Sequence, residues 1–124
     1  MMEILDKRYD FKKVDENITQ FQQISRQIKG SVIVKGKYDL ILSGTKFKTN
    51  KSGNPGMTVG GTGDALSGIA TALFAQGLNA FDSACLAVFI NGLAGDMAFD
   101  EKGNGFSASD LVSFIGNVIK NGLC

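Results

Sequence analysis

The run Gly60-Gly61-Thr62-Gly63-Asp64 restricts this chain more than any other feature of it. Three glycines in five residues disfavour the interior of a helix or strand there. Directly afterwards Ala65, Leu66, Ile69, Ala70 and Leu73 recur at helical spacing. The pattern predicts a glycine turn that opens a helix over Asp64 to Gln76, closed by Gly77. A helix start leaves backbone N–H groups unpartnered and carries partial positive charge, so it receives anions, phosphate among them. Gly61, Thr62 and Gly63 therefore form an expected anion hole, with amides near Thr62, Gly63 and Asp64 converging on one oxyanion. Asp64 has two readings, an acid that merely compensates the helix dipole, or a base that accepts the proton of a hydroxyl attacking a phosphoryl group. Its place beside the anion hole favours the base. No Lys-Ser/Thr pair follows the glycines and their spacing is not that of a dinucleotide fingerprint, so neither of those phosphate loops is present.

The remaining punctuation predicts an α/β chain. Asp15 and Glu16 open a helix carrying Ile18, Phe21, Ile24 and Ile28 and stopping at Gly30, while Met1 to Val14 shows no sustained periodicity and reads as a loop. Ser31-Val32-Ile33-Val34 is a β-branched run expected to fill a buried, parallel strand. Tyr38 to Leu42 and Lys46 to Thr49 read as strands joined by a hairpin at Ser43-Gly44-Thr45. Asn50 to Thr62 holds too many breakers for an element and reads as a long loop, functional or disordered, with Asn54 and Pro55 shaping it or acting as a lid. Asn79 caps a central helix running to about Phe99, apolar nearly all round, in which Asn91 and Asp96 are expected to satisfy buried polar groups. Ser107 followed by Asp110 caps a last helix ending near Lys120.

Composition excludes several function classes. The chain has 124 residues and a net charge of +1, with 44% hydrophobic and 20% charged residues, which suits one globular domain. Charge is uneven, since Met1 to Lys51 holds eleven basic and six acidic residues and Ser52 to Cys124 two and six. The lysines are dispersed and lack interleaved aromatics, which argues against nucleic acid as a partner. There is no histidine, and the two cysteines, Cys85 and Cys124, form no CxxC pair, so the usual zinc sites and histidine-based triads are excluded. Cys85, in an apolar helical run, reads as a buried structural thiol. No apolar stretch reaches the length of a membrane span and the N-terminus lacks a secretory core, so no membrane association and a cytoplasmic location are expected.

GNPGMTVGGTGDALSGIATALFAQGL (Gly53 to Leu78), with IVKGKYDLI before it and NGLAGDMA after it, resembles the ADP/ATP-dependent NAD(P)H-hydrate dehydratase family. The resemblance runs from about Ser31 to Leu111 and implies the ribokinase-like fold, a three-layer α/β/α architecture. It implies a lyase of metabolite repair that restores NADH or NADPH from the S-form hydrate. The nucleotide's terminal phosphate activates the hydroxyl on the nicotinamide ring and then leaves. Asp64 matches the residue that contacts the hydrated dinucleotide and acts as base, and Gly63 matches a contact to the adenine nucleotide. Lys35, Gly36, Lys37, Tyr38 and Asp39 match the strand-end segment lining the nucleotide site. The implied small molecules are ADP or ATP as co-substrate and Mg2+ with its phosphates, with no protein metal ligand identified. The glycine-Asp hole alone is shared with sugar, pyridoxal and thiazole kinases of the same superfamily. A small-molecule kinase therefore stays the alternative, and a non-catalytic nucleotide-binding fragment a third.

The chain departs from that family in two ways. Members commonly carry His where this chain has Asn91. Their catalytic domain is also substantially longer, which implies that residues 1–124 are the C-terminal portion of a single domain whose N-terminal part is absent here. Apolar faces at Ile33, the central helix and the strand edge are then expected to associate, as a homo-oligomer or with that missing part. The epimerase domain sometimes fused to this family is not among these residues.

Overall fold

The computed structural model of the protein describes residues 14–122. Helix α1 (Val14–Ile28) leads into three strands, β1 (Ser31–Val34), β2 (Asp39–Ser43) and β3 (Lys46–Asn50). A loop with a 3₁₀ turn at Pro55–Met57 follows, then α2 (Thr62–Ala75), α3 (Ala80–Lys102), a second 3₁₀ turn at Gly103–Gly105, and α4 (Ala108–Gly122). The expected N-terminal loop, apart from Val14, and Cys124 lie outside the described residues. Asp15 lies inside α1 rather than at its cap. The residue that turns left-handed after α1 is Lys29, at φ 52°, and not Gly30.

The sheet has the order β1-β2-β3, and both pairs are antiparallel, with Ser31 opposite Ser43 and Val34 opposite Leu40. The expected buried, parallel strand at Ser31–Val34 is thus corrected within the described residues: it is half-buried at every residue and pairs antiparallel. The reason is connection length: only Lys35 to Tyr38 separate β1 from β2. A parallel neighbour would need a crossover of about a dozen residues or more. The hairpin forms where the sequence predicts it. Gly44 takes φ 59° while Thr45 stays out of the left-handed region, a two-residue turn of the kind whose twist matches the flanking strands.

Alternation along β2 sets the layers. Leu40 and Leu42 face α1, where they pack with Phe21, Ile24 and Val34. Ile41 faces the opposite way, with Ile33 beside it, into the larger core formed by α2, α3 and α4. Helices on both faces of a sheet make the three-layer α/β/α arrangement. In the larger core α3 is the axis, with Ala84, Ala87, Val88, Ile90, Ala94 and Ala98 buried along it.

The helix boundaries have local causes. Asn79 caps α3 by accepting from the Asp82 amide at 2.8 Å. Ser107 and Asp110 bond reciprocally, the Ser107 amide donating to Asp110 Oδ2 at 2.8 Å and the Asp110 amide to Ser107 Oγ at 3.2 Å. At the end of α2 the amides of Gly77 and Leu78 donate back to the carbonyls of Phe74 and Leu73, with Gly77 at φ 105°, a Schellman stop.

Candidate functional site

The loop between β3 and α2 divides into an anchored half and an open half. In the anchored half, the Asp96 carboxylate of α3 accepts from the Gly53 amide at 3.1 Å and from Asn54 Nδ2 at 2.9 Å. Asn54 Oδ1 in turn accepts from the Gly56 amide at 3.0 Å and caps the Pro55–Met57 turn. The backbone comes so close to α3 that a methyl group on Gly92 would strike Ser52, and one on Gly95 would strike Met57. On the other side a methyl on Gly56 would lie 2.7 Å from the Phe106 ring. Asn54 and Pro55 thus shape a fixed segment, and the lid reading of them is not supported. Asp96 has the structural role expected for it.

In the open half, Gly61 sits at the N-cap of α2 with φ 100°, a conformation that L side chains rarely adopt. Having no side chain, it supplies no cap bond, so the first-turn amides of Thr62, Gly63 and Asp64 lack an intrahelical acceptor. Thr62 Oγ1 turns back to the Met57 carbonyl at 2.9 Å and ties this turn to the anchored half. Asn91, fully buried on α3, lies behind it, with Nδ2 3.5 Å from the Thr62 carbonyl and Oδ1 unpartnered. Gly60 and Gly63 have nothing within 4 Å of where a methyl would stand. Asp64 is exposed at the first turn of α2.

Two clefts meet at this turn. One, about 580 Å³, is lined by Lys35, Gly36, Lys37, Tyr38 and Asp39 on one side and by Lys51 to Pro55, Met57, Thr58 and Thr62 on the other. The second, about 430 Å³, is lined by Ile33, Lys35, Gly63, Asp64, Leu66, Ser67 and Ala70. Lys35 lines both. The structure thus brings the strand-end segment to the helix start, although Asp39 and Gly61 are 22 positions apart in sequence. Gly61 itself lines neither cleft and serves the turn's backbone.

Asp39 holds the strand-end turn in shape. It is buried, accepts from Lys35 Nζ at 2.8 Å and from the Gly36 amide at 3.4 Å, and takes Asn50 Nδ2 at 3.3 Å. Asn50 is buried too and reaches the Val88 carbonyl of α3 at 3.3 Å. The turn, the end of β3 and α3 are therefore one hydrogen-bonded unit. Sequence reading did not single out Asn50, Lys51 or Thr58 as site residues. Only the basic surplus of the first half of the chain hinted at Lys51, and nothing local marks Asn50.

A third cleft, about 370 Å³, opens beside β3 and is lined by Lys48, Asn50, Asp82, Cys85 and Phe89 among others. Burial pushes the Cys85 thiol pKa up, with Lys48 opposing and Asp82 adding to the rise, which keeps it a thiol. Cys85 is half-buried and lines this cleft, so the expectation of a buried thiol is corrected to a partly covered one. Among the described residues no group of three or more His, Cys, Asp and Glu side chains could hold a metal ion, and no helix is long and apolar enough to cross a membrane.

The sequence profile of the NAD(P)H-hydrate dehydratase family matches residues 1–117. A bifunctional NAD(P)H-hydrate repair enzyme, Nnr, of Methanothermobacter thermautotrophicus is 52% identical over 112 residues, 90% of this chain and 22% of the relative. An ADP-dependent (S)-NAD(P)H-hydrate dehydratase of Cenarchaeum symbiosum is 36% identical over 107 residues, 86% of this chain and 37% of the relative. The chain thus spans between about a fifth and two fifths of these relatives' length. Among solved structures, an ADP/ATP-dependent NAD(P)H-hydrate dehydratase of Bacillus subtilis co-crystallised with ATP/Mg2+ superposes with a TM-score of 0.77 at 20% identity, covering 88% of this chain and 40% of that one. A ribokinase-like superfamily protein of Enterococcus faecalis superposes at 0.75 with 24% identity, over 83% of this chain and 36% of that one. The fold is therefore ribokinase-like, and the chain belongs to the NAD(P)H-hydrate dehydratase family.

Proposed function

We propose that this chain carries the nucleotide-binding and proton-accepting side of an enzyme that dehydrates hydrated NADH or NADPH with ADP or ATP as co-substrate. The observation that carries the reading is the position of Lys35, which lines both the cleft of the strand-end turn and the cleft of Gly63 and Asp64. In this reading the first cleft takes the nucleotide along Lys35 to Asp39. Its terminal phosphate sits at the amides of Thr62, Gly63 and Asp64, where donors fixed in advance stabilise charge on the phosphoryl oxygens. Lys35, held by Asp39, contributes a cation at the junction. The ring hydroxyl of the hydrated nicotinamide attacks the terminal phosphoryl group, Asp64 accepts its proton, and the bond from that phosphorus to the shortened nucleotide breaks; phosphate then leaves with its C–O bonding pair while the neighbouring ring carbon gives up a proton to solvent, which restores the ring double bond. Asp64 is solvent-exposed and lines the second cleft.

Magnesium fits this site as a companion of the phosphates, which would hold it through their oxygens and its own waters, while Asp64, the carboxylate lining the second cleft, is kept for the proton. When bound the metal neutralises phosphate charge. We further propose that residues 1–124 form the C-terminal portion of a single domain, and that the exposed edge of the sheet associates with the rest of that domain or with a second copy. A cytoplasmic location accords with the small-molecule chemistry.

The test is incubation of the protein, with the rest of its proposed domain supplied, with hydrated NADH, Mg2+ and ADP or ATP while reduced-nicotinamide absorbance is followed. Recovery of absorbance is expected, whereas a phosphorylated vitamin or sugar as sole product would favour the kinase. Asp64→Asn is expected to lower turnover by about 10²–10⁴-fold while nucleotide affinity stays within a few-fold. Unchanged turnover would exclude Asp64 as base.

A further inference from the structure

Positive charge in the first cleft is not used up by the ion pair at its centre. Of the lysines that line it, Lys35 is compensated by Asp39 at 2.8 Å. Lys37 and Lys51 have no carboxylate within ion-pair distance among the described residues. Instead their ammonium groups lie 5.6 and 5.9 Å from the centroid of the Tyr38 ring. An aromatic face attracts a cation through its quadrupole, so one ring gathers two long side chains that would otherwise sample many rotamers.

The three residues come from two places in the chain, and a buried bond fixes those places together. Tyr38 precedes Asp39 and Lys51 follows Asn50. Asp39 and Asn50 are opposite one another in the sheet, and Asn50 Nδ2 donates to Asp39 Oδ2 at 3.3 Å. The stems of Tyr38 and Lys51 thus leave a rigid base. Two ammonium groups on one ring repel each other, and an anion with spread-out charge relieves that repulsion as it binds.

We propose that Lys37 and Lys51, positioned by Tyr38, form a second anion-binding pole in the nucleotide cleft that selects the co-substrate by the length of its phosphate chain. The first pole is the row of amides at Thr62 to Asp64. A triphosphate, with more charge and greater reach, satisfies both poles better than a diphosphate, and a monophosphate least. Lys51 is then a specificity-determining residue and Tyr38 a positioning residue. The proposal rests on the nucleotide reading above.

Calorimetric titration of the protein with AMP, ADP and ATP in Mg2+ buffer, at low and high salt, tests it. Lys51→Met is expected to weaken ATP about tenfold, ADP about threefold and AMP less than twofold, with the ATP loss shrinking at high salt. Lys51→Glu should widen each gap. Tyr38→Phe keeps the ring and should keep the ratios between the three affinities, while Tyr38→Leu should copy part of the Lys51→Met pattern. Equal weakening of all three nucleotides by Lys51→Met, or none, overturns the second pole while leaving the nucleotide reading intact. Absence of ATP binding by the unsubstituted protein overturns both.

Discussion

Two halves of one loop use glycine for opposite purposes. From Ser52 to Met57 the chain is packed between α3 and Phe106, and Gly92 and Gly95 on the α3 side and Gly56 on the Phe106 side are there because a methyl group would collide. From Gly60 to Gly63 a methyl on Gly60 or Gly63 would meet nothing within 4 Å. Close packing explains the first group and leaves the second unexplained by the fold. What Gly60 and Gly63 leave room for is a molecule outside the chain, and the free amides of α2 point to an anion. Sequence alone treats both as breakers, and only the surroundings separate them.

Substitutions on α3 should have the largest effects. Gly92→Ala forces Cβ into Ser52 and is expected to destabilise the fold by about 3 kcal/mol, read as a shift of the denaturant midpoint. Gly95→Ala, against the flexible Met57 side chain, should cost about 1–2 kcal/mol. Asp96→Ala strands the Gly53 amide and Asn54 Nδ2 and should cost about 2 kcal/mol, in the same measurement. If these variants kept full stability, the anchored half would not be anchored.

Gly63→Ala sharpens the contrast from the other side. An added methyl here has open space and a helical backbone, so stability should rise by about 0.5–1 kcal/mol, while nucleotide affinity and turnover fall. A variant that gains stability and loses binding separates the two uses of glycine cleanly. If binding were untouched, the anion would not approach this amide.

The smallest expected effect lies at the start of α4, away from both halves. Lys102 donates to Asp110 at 2.7 Å and the Ser107 amide donates as well, and these bonds hold the Asp110 carboxyl down to about 2 from an ordinary 3.8. A lowered folded pKa stabilises the protein above the unfolded value and loses that contribution as pH falls from 3.8 towards 2. Asp110→Asn should therefore melt slightly lower than the parent at neutral pH, and the two melting temperatures should converge across that acid window. Because the pair is exposed, added salt should also narrow the difference.

Much of the frame was legible because its signals are local. The Asn79 cap, the Ser107/Asp110 pair, the Gly77 stop and the Gly44 hairpin each depend on residues a few positions apart, and each stands where the sequence predicts it. The turn at Gly60 to Asp64 was legible for the same reason. Pairing was not, because a β-branched run such as Ser31–Val34, which is half-buried here, reports a strand and says nothing of its neighbour's direction. The anchors of the site were hidden too: Asp96 reaches Gly53 across 43 positions and Asn50 reaches Val88 across 38. Nothing in the local sequence distinguishes Lys51, a solvated lysine to any pattern, from one whose charge sits on Tyr38.

The bonds from α3 to the loop also decide when the site exists. The Gly53 amide is held by Asp96 and the Gly56 amide by Asn54, beneath side chains that pack against the core helix. Hydrogen exchange at these amides should proceed through opening of the whole core, with protection close to that of α3 itself. The amides of Thr62, Gly63 and Asp64 have no acceptor to shed and should exchange almost at once until an anion binds. The bound ligand should thus register as slowed exchange at three consecutive amides, against a neighbouring segment whose exchange was slow beforehand.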